Sequence, residues 1–263
     1  MAAFYQNIED PKADEALFDA FCKELNERRD EYEDINQYHN DEQRGLSMLG
    51  CWYHDIGQYD NENYEVLEVE KQYETPLGPD GCFVFTARPD RALRNRKDGK
   101  VYVDDTKTTG WSLSKAIESN KRDSQMTSYI WTLKKHHEDW DLQGGRFDAL
   151  FQRGPTGKPQ ARRSEVIYRT EQELRLWEIQ LVGLIIEVSQ KVKALKEGIP
   201  WPLLFPIHYR IEALFGCEYE GICDREVKPG VVPPGYKLDS WSEDINAILE
   251  RVGEYSLDEW KQT

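Results

Sequence analysis

The sequence predicts an α/β fold in which helices pack on a central mixed sheet. Three observations predict it. Apolar residues recur at helical spacing near the start of the chain, in its middle and again after residue 170. Between those stretches they alternate with polar residues or run unbroken for a few positions, as strands do. Gly and Pro clusters mark each change of pattern. With 263 residues, 39% hydrophobic and 32% charged, the chain is long enough to bury a sizeable core.

Taken in order, residues 11–31 read as a helix with Leu17, Phe18, Phe21, Cys22 and Leu25 on one face. A second helix covers 41–58, with Leu46, Leu49, Gly50 and Tyr53 inward and Gly57 as its stop. Residues 64–73 alternate around Val66, Leu67 and Val69 and read as a strand that turns at Pro76 and Gly78. Cys82–Ala87 is a second strand, Lys97–Gly99 a hairpin turn and Val101–Thr106 a third strand. A helix is expected over 113–137. Two strands follow at Phe147–Phe151 and Ser164–Tyr168, joined by the turn-rich stretch 154–159. Glu171–Glu197 is a long amphipathic helix that Pro200, Pro202 and Pro206 end. Residues 207–263 read as short helices and loops. There is no internal repeat.

The net charge of −15 argues at first against a nucleic-acid partner, but its distribution matters more. Of 49 acidic and 34 basic side chains, 21 and 6 lie in residues 1–80, leaving 28 of each in the rest. A basic stretch follows the acidic region: Arg88, Arg91, Arg94, Arg96, Lys97 and Lys100. Such a run suits phosphate contacts, or equally a solvated loop. No apolar run approaches the ~18 residues of a membrane span. Residues 1–10 lack the features of a signal peptide, so a cytosolic protein is expected. Five cysteines, an odd number, do not suggest a disulfide framework.

Chemistry concentrates in Val101-Tyr-Val-Asp-Asp-Thr-Lys107. On a strand Asp105 and Lys107 share a face and Asp104 points the other way. Alone, this is better explained by an ion pair at a strand end. Asp90 follows an apolar strand and precedes the turn back to the Asp105 strand. If the two carboxylates converge they repel unless a cation lies between them, and oxygen ligation suits Mg²⁺ or Mn²⁺. Asp90 could instead pair with Arg88 or Arg91. Gln125 and Tyr129, four apart, share a helix face; alone, Tyr129 reads as a core aromatic.

Together, Asp90, then Asp105-Thr-Lys107-Thr-Thr, then Gln125-x-x-x-Tyr129 resemble the PD-(D/E)XK nuclease superfamily, and within it the RecB-type branch of phage recombination exonucleases and CRISPR-associated adaptation nucleases. The resemblance implies a restriction-endonuclease-like core over about residues 45–225. It would sit in a single nuclease domain with an acidic helical region at 1–44 and an unmatched extension at 226–263. It implies a Mg²⁺- or Mn²⁺-dependent deoxyribonuclease, by resemblance an exonuclease, acting in DNA recombination, repair or phage DNA processing, in the host cytoplasm if phage-encoded. Any helicase or recombination partner would be a separate chain. The alternative is an inactive DNA-binding or protein-interaction member of the same fold.

By the same resemblance Asp90, Asp105, the Thr106 carbonyl and His54 hold metal, Lys107 acts on water, and Gln125 and Tyr129 position the DNA backbone. Glu68 and Glu70 are rival acidic candidates. Arg88, Arg91, Arg94, Arg96 and Lys97 would steer phosphates. Many members carry a four-cysteine iron–sulfur site. Here Cys22, Cys217 and Cys223 match, but Leu214 stands at the remaining position, so no cluster is expected. Ala87 replaces the family's Gly, and Pro89 replaces an aliphatic and removes a strand donor.

Overall fold

The computed structural model describes residues 1–199 except 11, 79, 80, 82, 122 and 155, with backbone alone at 192, 195 and 196. Its helices are α1 (Ala2–Gln6), α2 (Ala13–Glu27), α3 (Ile35–Trp52), α4 (Gln58–Asn63), α5 (Leu113–Asn120), α6 (Ser124–His136) and α7 (Glu171–Lys196). The strands are β1 (Tyr64–Val69), β2 (Tyr73–Leu77), β3 (Phe83–Ala87), β4 (Arg91–Asn95), β5 (Val101–Thr109), β6 (Leu142–Phe151) and β7 (Gln160–Arg163). Five strands form a mixed sheet in the order β1-β4-β5-β6-β7, and β2 and β3 pair separately. Within the five-stranded sheet only β5 and β6 run parallel, which requires the long crossover that α5 and α6 supply. The expected α/β architecture, helices on a central mixed sheet, is the one observed.

The chain divides into two compact units. The first, Met1–Thr75 with Phe85–Trp177, contains the five-stranded sheet. The described residues of the second are the tips of β2 and β3 and α7 beyond Trp177.

Within the first unit each sheet face has its own cover. Residues opposite one another across the ladders share a face. Leu93 of β4, Tyr102 of β5 and Leu150 of β6 lie on one side, packed with Phe4, Tyr5, Leu17, Trp52 and Ile56 from the N-terminal helices. Ala149 lies on the other side, under Leu113 and Ile117 of α5. Gly145 shares that side, and a Cβ there would fall 1.9 Å from Met126 Sδ of α6, so only glycine admits the helix this closely.

Several sequence expectations shift. The second helix begins at Ile35, where Asp34 caps it by accepting from Asn36 N–H at 2.8 Å. It does not stop at Gly57: the helical path runs through a π turn (Tyr53–Gly57) into α4. Gly57 serves packing there, since a Cβ would lie 3.1 Å from Tyr53 and 3.2 Å from Trp52. The 113–137 helix is two helices, because the Asp123 carboxylate caps a fresh start by accepting from Gln125 N–H. The strand over 64–73 ends at Val69. The strand over 147–151 begins at Leu142; residues 164–168 form no strand, only an isolated bridge from Ile167 to Gly145, and β7 lies before them at Gln160–Arg163. Residues 91–95, read as part of a basic loop, are the strand β4, with Ala92 and Leu93 buried. Asp90 therefore adjoins β5 through β4, not through the 82–87 strand, which pairs with β2. Among the described residues no helix is long and apolar enough to cross a membrane.

Candidate active site

β5 carries the centre of the site. Its register places Arg91, Asp104 and Arg146 in one row across β4, β5 and β6, which turns Asp105 to the opposite face, that of α6. Just beyond the last β4–β5 pair, Thr106 N–H donates to Asp90 Oδ2 at 2.7 Å rather than to a strand carbonyl. The Asp90 carboxylate is thereby tied to the residue next to Asp105. The Asp90 carbonyl accepts from Glu70 N–H at 2.9 Å. Glu70 follows β1 with φ of 51°, a left-handed backbone unusual for a residue other than glycine, of the kind that gathers at functional sites.

From Asp105 the contacts run on without a gap. Lys107 Nζ lies 2.8 Å from Asp105 Oδ2 and donates to Gln125 Oε1 at 2.6 Å. Gln125 Nε2 donates to the Tyr129 hydroxyl at 2.7 Å. Asp105 is 2% exposed, and burial, with Asp90 as a further contribution, raises its carboxyl to about 6 against the pull of Lys107. Burial and then Asp105 push the Tyr129 phenol up to about 12, so its hydroxyl stays protonated at any working pH. Burial and Asp90 also raise Glu70, whose Oε2 is 3.3 Å from Arg88 Nε.

The opposite face holds a buried ion network. Arg146 grips Asp104 through two bonds of 2.7 Å. Arg163 donates to both Asp60 and Asp148. Arg91 Nη2 donates to Asp148, and Arg91 Nη1 donates to Thr106 Oγ1 at 2.8 Å. Trp52 Nε1 donates to Asp148 at 3.1 Å and Tyr5 donates to Asp60. Burial alone would raise the Asp148 carboxyl, but Arg163, Arg91 and Trp52 hold it well below the usual range. Three carboxylates and three guanidinium groups balance, which is what permits charges at this depth.

The other proposed site residues fare differently. Arg91 is 1% exposed and committed to the network, so it is not free to meet a phosphate. Arg94 pairs with Glu65 at 3.1 Å. Arg96 and Lys97 sit at the β4–β5 turn, on the order of 13 Å along β5 from Asp105 at ~3.4 Å per residue. The His54 side chain is 80% exposed, with Nδ1 2.8 Å from Asp55 Oδ1, and lines a different cleft. It is not gathered with Asp90 and Asp105, because the continued helix through the π turn carries it to the β7 side. Glu68 turns to Lys71 and His137. Glu70, left as a rival, is the acidic residue that lines a cavity of about 230 Å³ with Asp90 and Thr106. Cys22 is a free thiol; Cys217 and Cys223 lie outside the described residues.

A family model, that of the PD-(D/E)XK nuclease superfamily, matches residues 1–224. The chain belongs to that superfamily. No curated protein matches it. PD-(D/E)XK nucleases generally use Mg²⁺ or Mn²⁺. Among the described residues of this PD-(D/E)XK chain, no three His, Cys, Asp or Glu side chains gather around one point. An ion would therefore draw on two carboxylates, a backbone carbonyl and water, a donor set that Mg²⁺ commonly accepts. Asp105 Oδ2 is buried without a directed hydrogen bond, although Lys107 lies beside it, and its carboxyl resists ionisation near Asp90. A cation between the two would relieve both, so the residues fit the ion.

Proposed function

We propose that this chain is a Mg²⁺- or Mn²⁺-dependent deoxyribonuclease with Asp90, Asp105, Lys107, Gln125 and Tyr129 in its active site. The observation that carries this reading is the unbroken series Asp105–Lys107–Gln125–Tyr129 beside the tethered Asp90 carboxylate. Asp90, Asp105 and the Thr106 carbonyl would hold the ion, which supplies positive charge to the phosphate oxygens. Lys107 is fixed from two sides, by Asp105 and by Gln125. Its ammonium orients the attacking water and offsets the negative charge that develops as one ester oxygen leaves. Gln125 holds Lys107 and, with the protonated Tyr129, aligns the backbone of the substrate strand.

The order of the three motifs favours the RecB-type branch and an exonuclease that works from strand ends in DNA recombination, repair or phage DNA processing. Unwinding would fall to a separate helicase. All of these residues lie in the first compact unit.

The test is cleavage of labelled linear and circular DNA with Mg²⁺ or Mn²⁺ against EDTA. Wild type should cut only with metal and prefer linear substrate. Asp105→Ala and Lys107→Ala should fold and lose cleavage. Activity retained by both variants would refute the assignment.

A further inference from the structure

A second cleft, of about 620 Å³, opens at the end of the sheet where β5 terminates. His54 from the π turn, Ser112 and Ser114 at the start of α5, and Lys158 and Arg162 around the start of β7 line it with Asp55. Its volume lies within the ~300–1,000 Å³ of typical ligand sites. Neither Lys158 nor Arg162 has an ion pair among the described residues, whereas Arg88, Arg94 and Lys100 each do. The Asp55 carboxylate is occupied by His54 at 2.8 Å and by the Cys51 thiol at 3.4 Å. In a chain of net charge −15, this cleft presents two cations, Lys158 near the Asp55 carboxylate and Arg162 without an ion pair among the described residues.

The sheet register relates this cleft to the catalytic cluster. Lys107 pairs with Ala149, and Ala149 with Arg162, so the three share one row and one face. Two strand spacings separate the backbones of Lys107 and Arg162 by about 10 Å at ~4.8 Å each. The middle of that row, Ala149, lies under Leu113 and Ile117 of α5, so a strand joining the two positions would pass around α5. Trp111, next to Ser112, is 47% exposed and carries the Lys115 ammonium 4.5 Å from its ring centroid. Proteins hold single strands by stacking bases on exposed aromatic rings and neutralising phosphates with cations.

We propose that this cleft binds a single-stranded segment of the DNA substrate, with Lys158 and Arg162 on its backbone phosphates. The inference rests on the nuclease reading of the first site and adds to it where the strand runs.

The experiment is fluorescence anisotropy of a single-stranded oligonucleotide with the full chain in EDTA, repeated over a salt series. The Lys158→Gln/Arg162→Gln variant should bind on the order of tenfold more weakly, and its log–log salt slope should be shallower by about 1.4, for the counterions released at two single-strand phosphates. Comparing 5′-phosphorylated with 5′-hydroxyl oligonucleotides separates two sources of the same group. An equal loss on both assigns internal phosphodiesters, and a loss confined to the phosphorylated one assigns a terminal phosphate. Should the variant melt early, acetylation of Lys158 in wild type gives an independent readout: the oligonucleotide should protect it. Wild-type affinity and slope in a folded variant, or no protection of Lys158, would overturn the cleft while leaving cleavage by wild type intact. Binding lost in the variant, with no metal-dependent cleavage by wild type, would instead sustain the cleft and sink the nuclease reading.

Discussion

Asp105 should cost the metal-free fold stability at neutral pH, and Asp105→Asn should expose that cost. In the folded chain its carboxyl is raised from the ordinary 3.8 to about 6. A group whose folded pKa is raised binds its proton more tightly when folded, so protonation stabilises the fold. The penalty is absent below about 3.8, grows as pH rises toward 6 and is complete above it. A rise from 3.8 to about 6 corresponds to roughly 3 kcal/mol, and Asp105 is buried deeply enough that solvent screening takes little from it. The assay is urea unfolding followed by tryptophan fluorescence, in EDTA, for wild type and Asp105→Asn between pH 4 and 8. The variant should gain on wild type by about 3 kcal/mol across that range, and contributions common to both proteins cancel in the difference. Adding Mn²⁺ at neutral pH should then stabilise wild type by about 2.7 kcal/mol at a hundredfold excess over its Kd, and the variant by much less. A difference that is flat with pH, or that shrinks as pH rises, would refute the buried, ion-seeking carboxylate described here.

Asp148→Ala should lower unfolding free energy by about 3–5 kcal/mol, because Arg91 and Arg163 would face each other in the core without their shared acceptor; an unchanged urea midpoint would refute the network. Gly145→Ala should cost about 1–3 kcal/mol by driving a methyl into Met126 Sδ, read as a lower melting temperature. Gln125→Ala should reduce kcat far more than it raises KM, since it frees Lys107 from one of its two anchors, whereas Tyr129→Phe, which leaves the Lys107–Gln125 bond intact, should be the milder of the pair in the same steady-state assay.

The local periodicities of the chain specified much of this protein. Alternation in Val101–Thr106 put Asp105 and Lys107 on one face before any coordinates, and the spacing of Gln125 and Tyr129 put both on one helix face. Their contacts follow from those two facts and the placing of α6 over β5. Charge patterning was less informative. Arg91 and Arg94 look alike in a basic run, yet one lies in a sealed ion network and the other on the surface. Only the pairing of β4 with β1 and β5 separates them. His54 failed for a related reason: Gly57 reads locally as a helix stop, but packing against Trp52 let the helix continue and carried the imidazole away.

The sequence alone therefore determined the α/β class, the order of the motifs and which side chains share an element face, because strand and helix periods act over a few residues. Tertiary structure alone decided that Glu70 joins Asp90, that Asp60, Asp104 and Asp148 meet three arginines in the core, and that Arg162 stands in one row with Lys107. Those meetings join residues up to 103 positions apart. They depend on strand order and register, which many long-range contacts fix together and no local window of sequence contains.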